Sequence, residues 1–201
     1  MRALSLPELT TTQNEILRVA FLLLLETSRA VPTDAIQARS NAHISTLDEE
    51  LANLVTAGRI RLDSSGAVTG AMGLSLDETG HRISIGDTQW FTWCAIDALG
   101  ILGALDATGA IHSTSPHSGQ PIAIMFEDGR PAGGDLSSVV FLASYCAGTP
   151  VVDQWCPTIN FFETEAAAQD WATTHGVAGE CAPLHPAAEV ATARWKERLS
   201  G

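Results

Sequence analysis

The chain has 201 residues, of which 45% are hydrophobic and 17% charged, so it can bury a real core and bulk disorder is excluded. Eleven Lys and Arg against 23 Asp and Glu give a formal net charge of −12. A surface that acidic repels phosphate backbones and argues against nucleic-acid partners.

Thr12 followed by Glu15 is a capping-box pattern and predicts a helix over about residues 14–28. Its apolar run, residues 19–25, is far shorter than the ~20 residues a membrane span needs. With Glu8 and Glu15 ahead of it and no small-residue cleavage site behind, it also does not read as a secretory signal, which predicts a cytoplasmic protein. Pro32 and Thr33 open a short helix over residues 34–39. Ser45 or Thr46 caps a third, with Leu47, Leu51, Leu54 and Val55 on one face and Gly58 as its stop. Ile60 and Leu62 alternate with charged residues, Ser64-Ser65-Gly66 turns the chain, and a second strand starts at Val68. Three helices and a hairpin outline a winged-helix-like module over residues 1–75. Its third helix carries Asp48, Glu49 and Glu50, which suits a structural role better than a DNA groove.

Beyond it, a strand over residues 82–85 ends at Gly86-Asp87, and a continuous apolar stretch predicts a helix over about residues 90–105. Strands follow near residues 110–113, 121–126, 138–143 and 158–162, separated by Gly, Pro and Ser clusters. Thr164 caps a helix that Gly176 stops, and Pro186 starts a last helix. The fold class expected is α+β: the N-terminal helical module, then a mostly antiparallel sheet core flanked by helices over residues 76–201.

The chemistry-bearing residues concentrate around two of the four cysteines. With no export signal, Cys94, Cys146, Cys156 and Cys181 are expected as reduced thiols. Cys94 falls near a helix N-terminus, which favours a thiolate. Asp97, three residues on, shares its helix face. Cys156, between Trp155 and Pro157, stands before a strand. A free cysteine is more often a small core residue than a nucleophile, and no C-x-x-C, P-loop, G-x-G-x-x-G, H-E-x-x-H or G-x-S-x-G is present. His112 and His117 read as surface or hydrogen-bonded histidines rather than ligands.

Longer stretches carry a family resemblance. Residues 68–76 (Val-Thr-Gly-Ala-Met-Gly-Leu-Ser-Leu), Trp93-Cys94-Ala95-Ile96-Asp97, Gly119-Gln120-Pro121-Ile122, Trp155-Cys156-Pro157 running into Phe161-Phe162, Asp170-Trp171-Ala172 and His175-Gly176 together resemble the organomercurial (alkylmercury) lyase family. The resemblance implies carbon–mercury bond cleavage by two cysteines and an aspartate, Cys94, Cys156 and Asp97, which would also hold the metal. It implies no required cofactor, Hg(II) as bound product, a small organomercurial substrate, and a thiol carrier or mercury reductase to take the product. Thiolates are the ligands soft mercury prefers. The chain departs from the family at Ser115 and Pro157, where members can carry further cysteines, and Cys146 and Cys181 match nothing in it. Three other readings stand beside the lyase. They are a soft-metal (copper or mercury) binding protein on the same scaffold, a small-molecule enzyme using Cys94 as nucleophile, and a metal-sensing regulator.

Overall fold

The computed structural model describes residues 6–40 and 46–200. Helix α1 (Thr11–Thr27) begins earlier than expected. Its capping box is Thr10 with Gln13, each side chain bonding the other's backbone N–H at 3.1 Å, instead of Thr12 with Glu15. The spacing is the same, but Thr10 is the residue whose backbone is still extended. Helices α2 (Thr33–Arg39) and α3 (Leu47–Thr56) follow. Thr46 occupies the N-cap of α3 without a side-chain bond, and Ser45 lies outside the described residues. No helix among the described residues is long and apolar enough to cross a membrane.

Strands β1 (Ile60–Leu62), β2 (Val68–Ala71) and β3 (Leu74–Ser75) do not stop at a wing. They run on through β5 (Thr88–Thr92), β4 (His81–Ile85), β6 (Gly109–Thr114), β7 (Pro121–Glu127) and β8 (Arg130–Gly134) as one antiparallel eight-stranded sheet in the order β1-β2-β3-β5-β4-β6-β7-β8. A second antiparallel sheet orders β10 (Asn160–Phe162), β9 (Val139–Ala143) and β11 (Gly179–Pro183). The α+β class with a mostly antiparallel core is therefore what folds.

Helix α4 (Ala95–Ala104) is buried along residues 95–103, as a helix apolar on every side must be. It corrects the expected helix over residues 90–105. Residues 88–92 instead form β5, paired to β4 across the Gly86-Asp87 turn with Trp90 opposite Ile83. A continuous apolar run has no period to separate strand from helix. Here the β-branched and aromatic residues Thr88, Trp90, Phe91 and Thr92 favour the pleated surface.

Helix α5 (Glu165–His175) has the predicted Thr164 cap and Gly176 stop. The last helix, α6 (Leu184–Ser200), starts two residues before Pro186, which sits in its first turn where a missing N–H is harmless. It packs along α4 through two glycines. A Cβ on Gly100 would come within 2.6 Å of the Trp195 ring, and one on Gly103 would overlap the Thr192 side chain. That close approach brings Arg194, Trp195 and Arg198 over the N-terminal end of α4.

Candidate active site

Three loops converge where α4 begins. The first is the turn between β2 and β3. Ala71 pairs with Leu74, leaving Met72 and Gly73 as a two-residue hairpin turn with φ of 50° and 86°. Both central residues have positive φ, as the favoured hairpin turns demand. Gly73 is required twice over, because a Cβ there would also overlap the Asp97 carboxyl. Its carbonyl accepts from the Trp93 N–H at 2.9 Å, and the Met72 carbonyl from the buried Trp195 indole N–H at 3.2 Å.

The second is the start of α4 itself. Cys94 is not inside the helix but at its N-cap, with extended φ −155° and ψ 172°. Asp97 is then the third helical residue. This is capping-box spacing with cysteine in the serine position: the thiol donates to Asp97 Oδ2 at 3.1 Å, and the Asp97 carboxyl also bonds the Cys94 backbone N–H. The third loop carries Cys156. A π-helical turn (Val151–Trp155) passes directly into a 3₁₀ turn (Cys156–Thr158), so Cys156 sits at a helical junction instead of at the mouth of a strand over residues 158–162. The turn is tied down on both sides. Val151 and Val152 donate to the Ala57 and Gly58 carbonyls at 3.2 and 3.0 Å, and the Trp155 indole donates to Ala143 O at 2.9 Å. Ile159, whose N–H bonds Cys156 O, accepts from Ala95 N–H at 3.1 Å and so staples the third loop to α4.

The result is one buried cluster. A ligand atom from each of Cys94, Asp97 and Cys156 lies within 4.8 Å of the others, although 62 positions separate the cysteines. This is the only such grouping of three or more Cys, His, Asp or Glu among the described residues. His112, His117, Cys146 and Cys181 take no part in it. Ser115 is fully buried and is not among the residues lining the cavity that reaches the trio.

Burial governs the protonation of all three groups. It pushes the Cys94 thiol well above its ordinary value, reinforced by Cys156 and Asp97, so the expectation of a thiolate at a helix N-terminus is overturned. At Cys156 the neighbouring Cys94 side chain pulls down, but burial and Asp97 leave the thiol raised. Asp97 is lifted by burial to about 6 even though Cys94, Arg198 and Arg194 favour its charged form. The resting site thus holds two thiols and a carboxyl able to take or give a proton near neutral pH.

An inner cavity of about 50 Å³ reaches the trio, walled by Met72, Trp93, Ile96, Trp155 and Ile159. Outside it lies an open cleft of about 920 Å³. Arg59, Arg194 and Arg198 line both. Sequence reasoning passed over these arginines, and over Trp195. The Arg194-x-x-x-Arg198 spacing on a terminal helix was the only local signal, and it does not distinguish a cavity wall from a solvated face.

An antiparallel α+β fold closing two thiols and a carboxyl into a sheltered cavity defines a dithiol–carboxylate protein suited to soft metals. The comparisons with known proteins agree with that class and narrow it. The alkylmercury lyase family model matches residues 74–196. An alkylmercury lyase of Staphylococcus epidermidis is 28% identical over 155 residues, 77% of this chain and 70% of its own. One from Streptomyces lividans is 27% identical over 158 residues, 78% of this chain and 72% of its own. A crystal structure of the mercury-bound form of MerB2 superposes with a TM-score of 0.85 at 26% identity, covering 96% of this chain and 93% of that one. The chain belongs to the alkylmercury lyase family.

Proposed function

We propose that the protein is an organomercurial lyase in which Cys94 and Cys156 hold mercury and Asp97 moves the proton. The observation that carries this reading is the buried Cys94–Asp97–Cys156 cluster, with the Cys94 thiol already donating to the carboxyl at 3.1 Å.

For a substrate R–Hg–X, one thiol displaces X, and its proton leaves with X as HX. The second thiol then bonds the metal and gives its proton to Asp97. Two sulfur donors push electron density onto the carbon, and Asp97 protonates it as the carbon–mercury bond breaks. R–H departs, Hg(II) stays on the two sulfurs, and Asp97 returns to its starting state. Oxidation states of the protein do not change, and no organic cofactor enters. Raised thiol pKa values suit the scheme, because both protons consumed are stored on sulfur until mercury replaces them. An apolar wall of Trp93, Met72 and Ile159 suits alkyl and aryl groups and excludes water that would compete as a proton source.

Product held by two thiolates leaves by exchange with an external thiol or with a partner such as a mercury reductase. The setting is the cytoplasm, where cysteines stay reduced, and neither nucleic acid nor membrane is a partner. Within the chain, residues 76–201 supply the reacting groups, and the winged-helix-like module 1–75 closes the cavity with Leu17 and Arg59 and braces the Cys156 turn at Gly58. Gas chromatography of the headspace over protein, methylmercury and excess thiol tests the proposal. Methane release that Asp97→Asn abolishes is expected. Mercury uptake without methane from the unaltered protein would instead identify a soft-metal carrier.

A further inference from the structure

The chemistry above leaves the three cations at the mouth of the site without a task. A chain with only eleven Lys and Arg places three of them, Arg59, Arg194 and Arg198, around one throat. Arg59 is 7% exposed and donates to the Pro7 carbonyl at 3.2 Å. Arg198 lies over the Trp195 ring, 4.9 Å from its centroid, with Arg194 one turn earlier on α6. Among the described residues none of the three forms an ion pair, whereas Arg18, Arg39, Arg61 and Lys196 each do. Burial lowers the pKa of each, Arg198 to about 10 with Arg194 adding to the fall, so all stay charged at neutral pH. Asp97, the buried carboxyl that interacts with Arg194 and Arg198, supplies at most one negative charge against the three cations. The outer cleft also carries Glu8, Glu197 and Glu15, the last tied to Arg18 at 2.7 Å. Crowded, partly desolvated like charges destabilise the fold, and an anion settling among them relieves that strain.

The passage is also polarised. Met72, Trp93, Ile96 and Ile159 line the inner cavity alone, while the arginines, with Leu6, Leu9 and Asn14, line the inner cavity and the outer cleft. The inner cavity thus offers apolar contacts for an organic group, and guanidinium groups line its continuation into the outer cleft.

We propose that Arg59, Arg194 and Arg198 form a subsite for the carboxylate of a small thiol that carries the organomercurial, so that the preferred substrate is R–Hg–S–R′ with an anionic R′. This rests on the lyase reading and names its leaving group. The bond broken in the first step is Hg–S(R′), the bond formed is mercury to the first cysteine sulfur, and that cysteine's proton leaves on R′–SH. Guanidinium groups suit the task because each offers a planar pair of donors to a carboxylate.

The test is hydrocarbon release from methylmercury carried by mercaptosuccinate or by neutral 2-mercaptoethanol, with kcat/KM compared as a ratio. A charge-assisted bond predicts a ratio of about ten or more at low salt, falling towards one as salt rises. Arg194→Gln and Arg198→Gln should each lower the ratio several-fold, and Arg198→Lys should keep more of it than Arg198→Gln. The salt series on the unaltered protein decides the matter even if a variant misfolds. A ratio near one at low salt, or one insensitive to salt, overturns the subsite while leaving the lyase standing. Hydrocarbon from no conjugate overturns the lyase, and the subsite with it. A third arm uses arylmercury with the carboxylate on the ring and 2-mercaptoethanol as carrier. An arginine-dependent preference for that compound over plain phenylmercury would put the anion on the organic group and overturn the assignment to the thiol.

Discussion

Asp97→Asn should do more than stop turnover: it should make the protein more stable at neutral pH. The carboxyl is 6% exposed, and its pKa is lifted from the ordinary 3.8 to about 6. Between those two values the folded chain holds a proton that the unfolded chain has released, so stability falls as pH rises through that window. The difference, 6 − 3.8 = 2.2, corresponds to about 3 kcal/mol withdrawn from the fold by pH 7. Asparagine keeps the shape and an acceptor for the Cys94 thiol but removes the titration, at about 1 kcal/mol for an amide N–H left short of a partner. His81 acts in the opposite sense. It is buried, bonds Ser113 Oγ at 2.8 Å, and burial lowers its imidazole from 6.5 to about 4. The unfolded chain therefore binds the proton first, and the fold loses about 3 kcal/mol as pH drops from 6.5 to 4. In the unaltered protein the two effects largely offset each other. In Asp97→Asn the histidine's contribution is no longer offset. Urea denaturation of both proteins across about pH 4 to pH 7 should show a stability gap that widens by about 3 kcal/mol towards neutral pH, with the variant ahead at pH 7 by about 2 kcal/mol. Methane release should fall by about 10²- to 10⁴-fold. Parallel stability curves would refute the buried, proton-holding carboxyl, whatever happened to turnover.

Gly73→Ala combines a Cβ at φ 86° with overlap onto Asp97, and should cost about 2 kcal/mol or more in thermal denaturation while removing methane release even well below the melting point. Cys156→Ser should fold, yet lose more than about 100-fold in Hg(II) retention against excess monothiol by equilibrium dialysis, since one of two soft ligands is gone. Gly103→Ala should cost about 1–3 kcal/mol by pressing on Thr192. Adding Thr192→Ala should restore much of that loss in a double-mutant cycle, and strict additivity would place the strain elsewhere.

The three residues of the buried cluster were legible as candidates in the sequence because each sits beside strong local signals. A cysteine and an acid three apart suit a helix start, and Trp155-Cys156 running into Phe161-Phe162 is part of the family resemblance. Most strands of the core were legible too, bounded by Gly, Pro and Ser. Less was legible where local chemistry is neutral between states. Residues 88–92 look equally apolar as helix or strand, and only pairing with β4 turns them into β5 and puts Cys94 at a helix cap. The π-helical turn at Val151–Trp155 has no sequence signature, and its hold on Ala57 and Gly58 is long-range.

What the sequence by itself determined was which groups are candidates for chemistry: two thiols, one carboxyl and the apolar residues around them. What only the tertiary structure decided was their protonation and surroundings. A helix N-terminus alone favours a thiolate, but the packing of α6 and the cavity walls over the start of α4 buries Cys94 and Asp97, and desolvation raises the Cys94 thiol and lifts Asp97 to about 6. The same packing gathers Arg59, Arg194 and Arg198 at one mouth. Burial is a property of packed surfaces and not of neighbours along the chain.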